Sequence, residues 1–209
     1  MLKILFKFSP TISLILISIS LYMIFIYAPR EIVMGDVQRI FYFHMAYVLV
    51  FTIAFIMNLF FSIKFLVDNK KINSVYAYVN GEIGVVFTLL TIISGMFWAK
   101  PIWGTWWTWD PQLTTTFILL LLYSSYLVFH KLSTSAGVPR YAAVFAIISF
   151  IDLPIVYISV RVMRGISPVV FGGEGGGISS EMMDTLLVTL AGFFFLYLSI
   201  FDLRLKLDK

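Results

Sequence analysis

Apolar residues run along this chain in long blocks separated by short polar, aromatic or glycine-rich stretches. A helix needs roughly 17 to 25 predominantly apolar residues to cross a hydrocarbon layer of about 30 Å. Blocks of that kind fall near 11 to 28, 40 to 66, 76 to 99, 112 to 129, 141 to 160 and 183 to 201. The pattern predicts an all-α polytopic integral membrane protein, a single six-helix domain over residues 1–209. Six crossings bring both termini to one side. The fourth helix has a legible start: Asp110 suits the N-cap and Pro111 the first turn, where a missing N–H costs nothing. In the fifth block, Leu153-Pro154 predicts a kink that frees backbone groups.

Composition agrees with the block pattern. The 209 residues are 60% hydrophobic and 12% charged, about half the charged fraction of a soluble domain. Charge then orients the chain, because Lys and Arg in short loops favour the cytoplasm. Of the fifteen basic residues, ten fall on the terminus-bearing side, among them Lys64, Lys70, Lys71, Arg140 and Arg204. Arg30, Arg39, Lys100, Arg161 and Arg164 fall on the other. Both termini are expected in the cytoplasm, and the segment 100–111 faces outward. The net charge of +4 follows from this topology and does not point to nucleic acid. The first span follows Lys3 and Lys7 without a clear small-x-small cleavage site, and reads as a retained signal anchor. With no cysteine, the chain carries no disulfide, thiolate metal site or covalent c-type haem attachment motif.

The inner loops, such as Asp68-Asn69-Lys70-Lys71, are short and polar. The outer ones are longer and chemically richer, which places function on that face. The glycine run 172–177, interrupted only by Glu174, is a flexible connector or a moving lid. It lacks the Lys-Ser/Thr of a phosphate loop. The aromatic loop stands out most. Four of the five tryptophans, Trp103, Trp106, Trp107 and Trp109, lie within seven residues just ahead of Asp110-Pro111. Indoles anchor helix ends at membrane interfaces, yet four in one loop exceed what anchoring requires and suit a flat, largely apolar ligand such as a porphyrin. The following helix N-terminus favours a ligand carboxylate, or is simply capped by Asp110.

Two histidines complete the inventory. His44 lies about four residues into the second span from its outer end, about 6 Å of rise, near the expected level of the tryptophan loop. It reads either as an axial ligand to haem iron or as a polar contact between helices. His130, at the inner end of the fourth span, is too far away to share a metal ion with it and reads as an interfacial residue. Arg30, Arg39, Arg161 and Arg164 suit haem propionates or lipid phosphates. Glu82 and Asp152, inside spans, read as structural contacts or as parts of a transport path.

The run from Lys100-Pro101 through Trp103-Gly104-Thr105-Trp106-Trp107-Thr108-Trp109-Asp110 to Leu113-Thr114 resembles the tryptophan-rich signature of haem-handling proteins in cytochrome c biogenesis. The nearest pattern is that of the haem exporter protein C family. The six spans, the length and Arg39-Ile40-Phe41-Tyr42-Phe43-His44 agree with it. The resemblance implies a non-catalytic module that holds non-covalent haem b at the outer face of the cytoplasmic (inner) membrane. It implies delivery to a membrane-anchored haem chaperone, with ABC transporter subunits and a small single-span subunit as partners. His44 matches the family's first haem histidine, and Trp103, Trp106, Trp107, Trp109 and Asp110 match the loop. Where the family has its second histidine, before Pro168, this chain has Ser167. Iron would then be five-coordinate, or would take a sixth bond from Met163, Met182, Met183 or a partner. The alternatives are a cytochrome c synthetase, disfavoured by only two histidines, a permease using Glu82 and Asp152, and a membrane scaffold without haem ligation of its own.

Overall fold

In the computed structural model, which describes residues 2–162 and 178–207, the chain folds into a helical membrane bundle. Helix α1 (Leu2–Tyr22) runs on through a π-helical turn, Met23–Tyr27. A 3₁₀ turn, Asp36–Arg39, leads into α2 (Ile40–Asp68), followed by α3 (Lys71–Trp103), α4 (Pro111–Ser135), α5 (Arg140–Phe150), α6 (Asp152–Val162) and α7 (Ser180–Leu207). Among the described residues, six segments are long and apolar enough to cross a membrane: Phe6–Tyr27, Asp36–Asp68, Lys71–Trp103, Pro111–Ser135, Arg140–Ser159 and Ser180–Leu207. Each contains most of an apolar block read from the sequence. Several extend past it, because a helix continues through polar residues at the interface until a cap or a breaker stops it. Asn69, left-handed at φ 54°, ends α2, and Gly104, at φ 73°, ends α3.

The fifth span is two helices. Pro154 has no N–H to give the preceding turn, and the helix breaks at Ile151, between α5 and α6. Asp152, just after the break, is buried with Oδ2 unpartnered. Of the two readings of Glu82, the structural contact is the one found. Glu82 is not an isolated intramembrane acid, because Arg204 of α7 donates to it at 2.8 Å. A chain of acids through the membrane therefore loses one member to a structural ion pair.

Small and polar residues hold the helices together, as expected where lipid offers little hydrophobic drive between them. Helix α1 is zipped to α7: Ser20 bonds Thr189 at 2.7 Å, Ser13 donates to the Gly192 carbonyl at 3.2 Å, and Ser199 donates to Ser9 at 3.1 Å. Helix α3 lies closely along α2, with Asn58 donating to the Ala77 carbonyl at 2.7 Å. Tyr197 of α7 donates to Asn80 of α3 at 2.6 Å. A main aromatic core forms around Phe51, Phe55, Phe87, Tyr123 and Tyr126. A smaller cluster of Ile24, Phe41, Tyr42, Trp98 and Leu186 lies at the end of the bundle from which the tryptophan loop emerges.

Candidate functional site

The tryptophan loop is a braced structure. Helix α3 closes on Gly104, whose N–H donates to the Lys100 carbonyl at 3.0 Å while Lys100 Nζ donates to the Gly104 carbonyl at 2.8 Å. Asp110 caps α4 as its sequence predicts: Oδ1 accepts from the Leu113 N–H at 2.9 Å and Oδ2 from the Thr108 hydroxyl at 2.8 Å, with Pro111 in the first turn. Thr105 donates to the Trp107 carbonyl at 2.9 Å. Between these fixed ends the indoles divide into two roles. Trp107 turns inward, edge-on to Phe117 with centroids 6.1 Å apart, and its Nε1 is buried without a partner. Trp103, Trp106 and Trp109 are 37%, 47% and 74% exposed, leaving indole surface open to a ligand. Trp106 is held edge-on by Phe97 at 5.6 Å and by the Lys100 ammonium over its ring.

His44 projects from α2 onto α3. Its Nδ1 lies 3.0 Å from Ser94 Oγ, its ring meets Trp98 edge-on at 5.8 Å, and its Cε1 faces Gly95, where an added Cβ would stand 3.4 Å away. A larger residue at 95 would press on the imidazole. Nε2 makes no hydrogen bond among the described residues, and it is not one of the buried side-chain atoms left without a partner. The ring lies beside residues 94 to 98, about 8 to 14 Å of helix rise below Trp103, one to three turns deeper than the loop itself.

His130 is at the other end. It bonds Ser74 at 3.0 Å and stacks on Tyr78 at 4.6 Å. Ser74 and Ser94 both lie on α3, about 30 Å apart at 1.5 Å per residue, so the two imidazoles cannot meet on one ion. Among the described residues, no group of three or more His, Asp or Glu side chains could enclose a bare metal ion.

The predicted cationic groups are placed unequally. Arg39 is engaged with Asp36 at 3.1 Å, with the Ile24 carbonyl and with the face of Phe25, which leaves part of its guanidinium donor set open. Arg30 pairs with Asp36 at 3.0 Å and stays largely exposed. Arg161 belongs to α6 but its side chain lies outside the described residues, as do Met163, Arg164, Ser167 and the glycine run 172–177. Of the sulfur candidates, Met182 is buried and Met183 packs against the cluster that contains Trp98.

Two residues of this region escaped the sequence reading. Trp98 is the fifth tryptophan and the one that touches His44, and Ser94 holds the ring. The available signal was helical spacing, since Thr91, Ser94, Gly95 and Trp98 recur three and four apart on one face of α3. Together the region offers an open imidazole nitrogen, exposed indole faces and arginines at one end of the bundle. Flat indole faces suit a largely apolar ring, and guanidinium groups suit acidic edges.

Comparison with known proteins bears on this chemistry. The sequence model described as Heme exporter protein C matches residues 1–208. The chain is 30% identical over 182 residues to a putative cytochrome c biosynthesis ccmC-like mitochondrial protein of Marchantia polymorpha, spanning 87% of this chain and 78% of that one. It is 31% identical over 195 residues to the protein of the same description in Arabidopsis thaliana, spanning 93% and 74%. To Heme exporter protein C of Escherichia coli K12 it is 30% identical over 141 residues, 65% of this chain and 56% of that protein.

Proposed function

The chain belongs to the haem exporter protein C family, and from that premise we propose how it handles haem as a multi-pass membrane subunit of cytochrome c maturation. Haem b is cargo, bound without covalent attachment and presented at the outer face of the inner membrane. The observation that carries this reading is His44, with Nδ1 occupied by Ser94 and Nε2 open, at the end of the bundle that bears the exposed indoles.

In this reading Nε2 of His44 supplies the axial bond to iron, and Trp103, Trp106 and Trp109 cover the porphyrin face. Trp107 and Asp110 keep the loop in shape. Arg39, Arg161 and Arg164 meet the propionates, whose two carboxylates suit guanidinium forks. Ser167 gives iron no sixth ligand of its own, so one face of the haem is left to Met163, Met182, Met183 or a partner. A one-sided hold suits a carrier, because the recipient can supply the second bond before the first is released. The recipient is a membrane-anchored haem chaperone, and ABC transporter subunits and a small single-span subunit complete the assembly. Both termini are cytoplasmic and the loop faces outward. The protein has no catalytic step of its own.

Haem titration of the purified protein tests the platform. Trp106→Ala combined with Trp107→Ala should weaken haem binding about tenfold, since the first removes an aromatic contact worth about 0.5–1.5 kcal/mol beyond its buried area and the second removes the packing on Phe117 that shapes the loop. Membrane insertion should be unaffected. His130→Ala should bind haem as the parent does. Unchanged binding in the tryptophan variant would remove the platform, and lost binding in His130→Ala would move the site to the other end of the bundle.

A further inference from the structure

The hydrogen-bond chain behind His44 has a direction. Ser94 Oγ donates to the Thr91 carbonyl at 3.0 Å, the backward bond a serine commonly makes within a helix, and the same oxygen lies 3.0 Å from His44 Nδ1. A hydroxyl has one proton to give. With that proton on Thr91, Ser94 offers His44 only a lone pair, so Nδ1 must carry the hydrogen. A neutral imidazole has one N–H, which leaves Nε2 bare. The opposite arrangement, with Ser94 donating to Nδ1, would put the ring proton on Nε2. That N–H makes no hydrogen bond among the described residues. An unfilled lone pair is tolerated more readily than an orphaned N–H.

We propose that Ser94 is a positioning residue for haem capture: it holds His44 in the Nδ1–H tautomer and fixes the ring's rotation, so that Nε2 is presented as a ready donor atom. The proposal rests on the reading of His44 as the iron ligand. Trp98 and Gly95 complete the setting, the first meeting the ring edge-on and the second leaving it room. Ser94 touches neither iron nor porphyrin in this account. Its part is that of the hydrogen-bonding partner which sets the tautomer and basicity of a ligating histidine.

The test begins on haem-free protein labelled with ¹⁵N in its histidine rings, in a His130→Gln background so that all ring signals belong to His44. Nitrogen chemical shifts separate N–H from bare nitrogen directly. The expected parent spectrum has the proton on Nδ1, and a proton on Nε2 overturns the proposal at once. Ser94→Thr keeps the hydroxyl and should keep both tautomer and haem affinity. Ser94→Val has nearly the same shape without the hydroxyl, and should shift the ring toward the other tautomer and weaken haem binding about 10–100-fold. Ser94→Ala provides the same loss without added bulk and serves if the valine variant does not fold. A hydroxyl-free variant that retains the Nδ1–H tautomer and parental affinity contradicts the role of Ser94 and leaves His44 as ligand intact. Parental haem affinity in His44→Ala would instead remove the ligand reading beneath it, whatever the tautomer.

Discussion

His44→Ala is expected to lower haem affinity by more than the about 10–100-fold that loss of an outer hydrogen-bonding partner costs a metal site, because it deletes the proposed metal–ligand bond itself. No second imidazole can take over. His130 lies about 30 Å away along α3, held by Ser74 and stacked on Tyr78. The fold should tolerate the change. His44 is half-buried, and its ring is held by Ser94 and by the Thr91 backbone, while Ser94 keeps its own bond to the Thr91 carbonyl. Equilibrium haem titration followed at the Soret band, with size-exclusion in detergent as the control for folding, separates ligand loss from collapse of the bundle.

Gly84→Val is expected to prevent accumulation of folded protein. An added Cβ at Gly84 would collide with Phe55 Cε1 and stand 2.5 Å from Cδ1 and 2.8 Å from Cζ. The ring has nowhere to retreat, because Phe55 is fully buried and stacked face to face on Tyr123 at 3.7 Å. The substitution must either push α3 away from α2 or unstack the aromatic core. That places it at or beyond the upper end of the about 1–3 kcal/mol typical of overpacked cores. Gly84→Ala should act in the same direction, read as a lower thermal midpoint in detergent. Wild-type stability in Gly84→Val would mean that the two helices do not approach as closely here as described.

Much of the architecture was legible in the chain because the membrane imposes a simple rule: a span needs an apolar run of set length. The Asp110-Pro111 start of α4 was legible for an equally local reason, since a cap requires only its own side chain and the N–H groups just beyond it. The break near Pro154 is local too. The partnership of Glu82 with Arg204 was not legible, as 122 residues separate them and only the packing of α3 against α7 brings them together. The same holds for Ser94 and Trp98 beside His44. Their spacing put them on one face of α3, but nothing in the chain said which residue of α2 that face would meet. The tryptophan loop falls between these cases. Its aromatic density was plain, whereas the division between Trp107, packed on Phe117, and the exposed Trp109 depends on how the loop folds back over α4.

The proposed bond between haem iron and Nε2 of His44 has a spectroscopic mark of its own. Resonance Raman spectroscopy of the ferrous haem complex reads that bond through the iron–histidine stretching band. The band is expected in the parent protein and in His130→Ala, absent in His44→Gly, and restored when free imidazole fills the space left by the missing ring. A band that persists in His44→Gly without added imidazole would contradict the proposed bond.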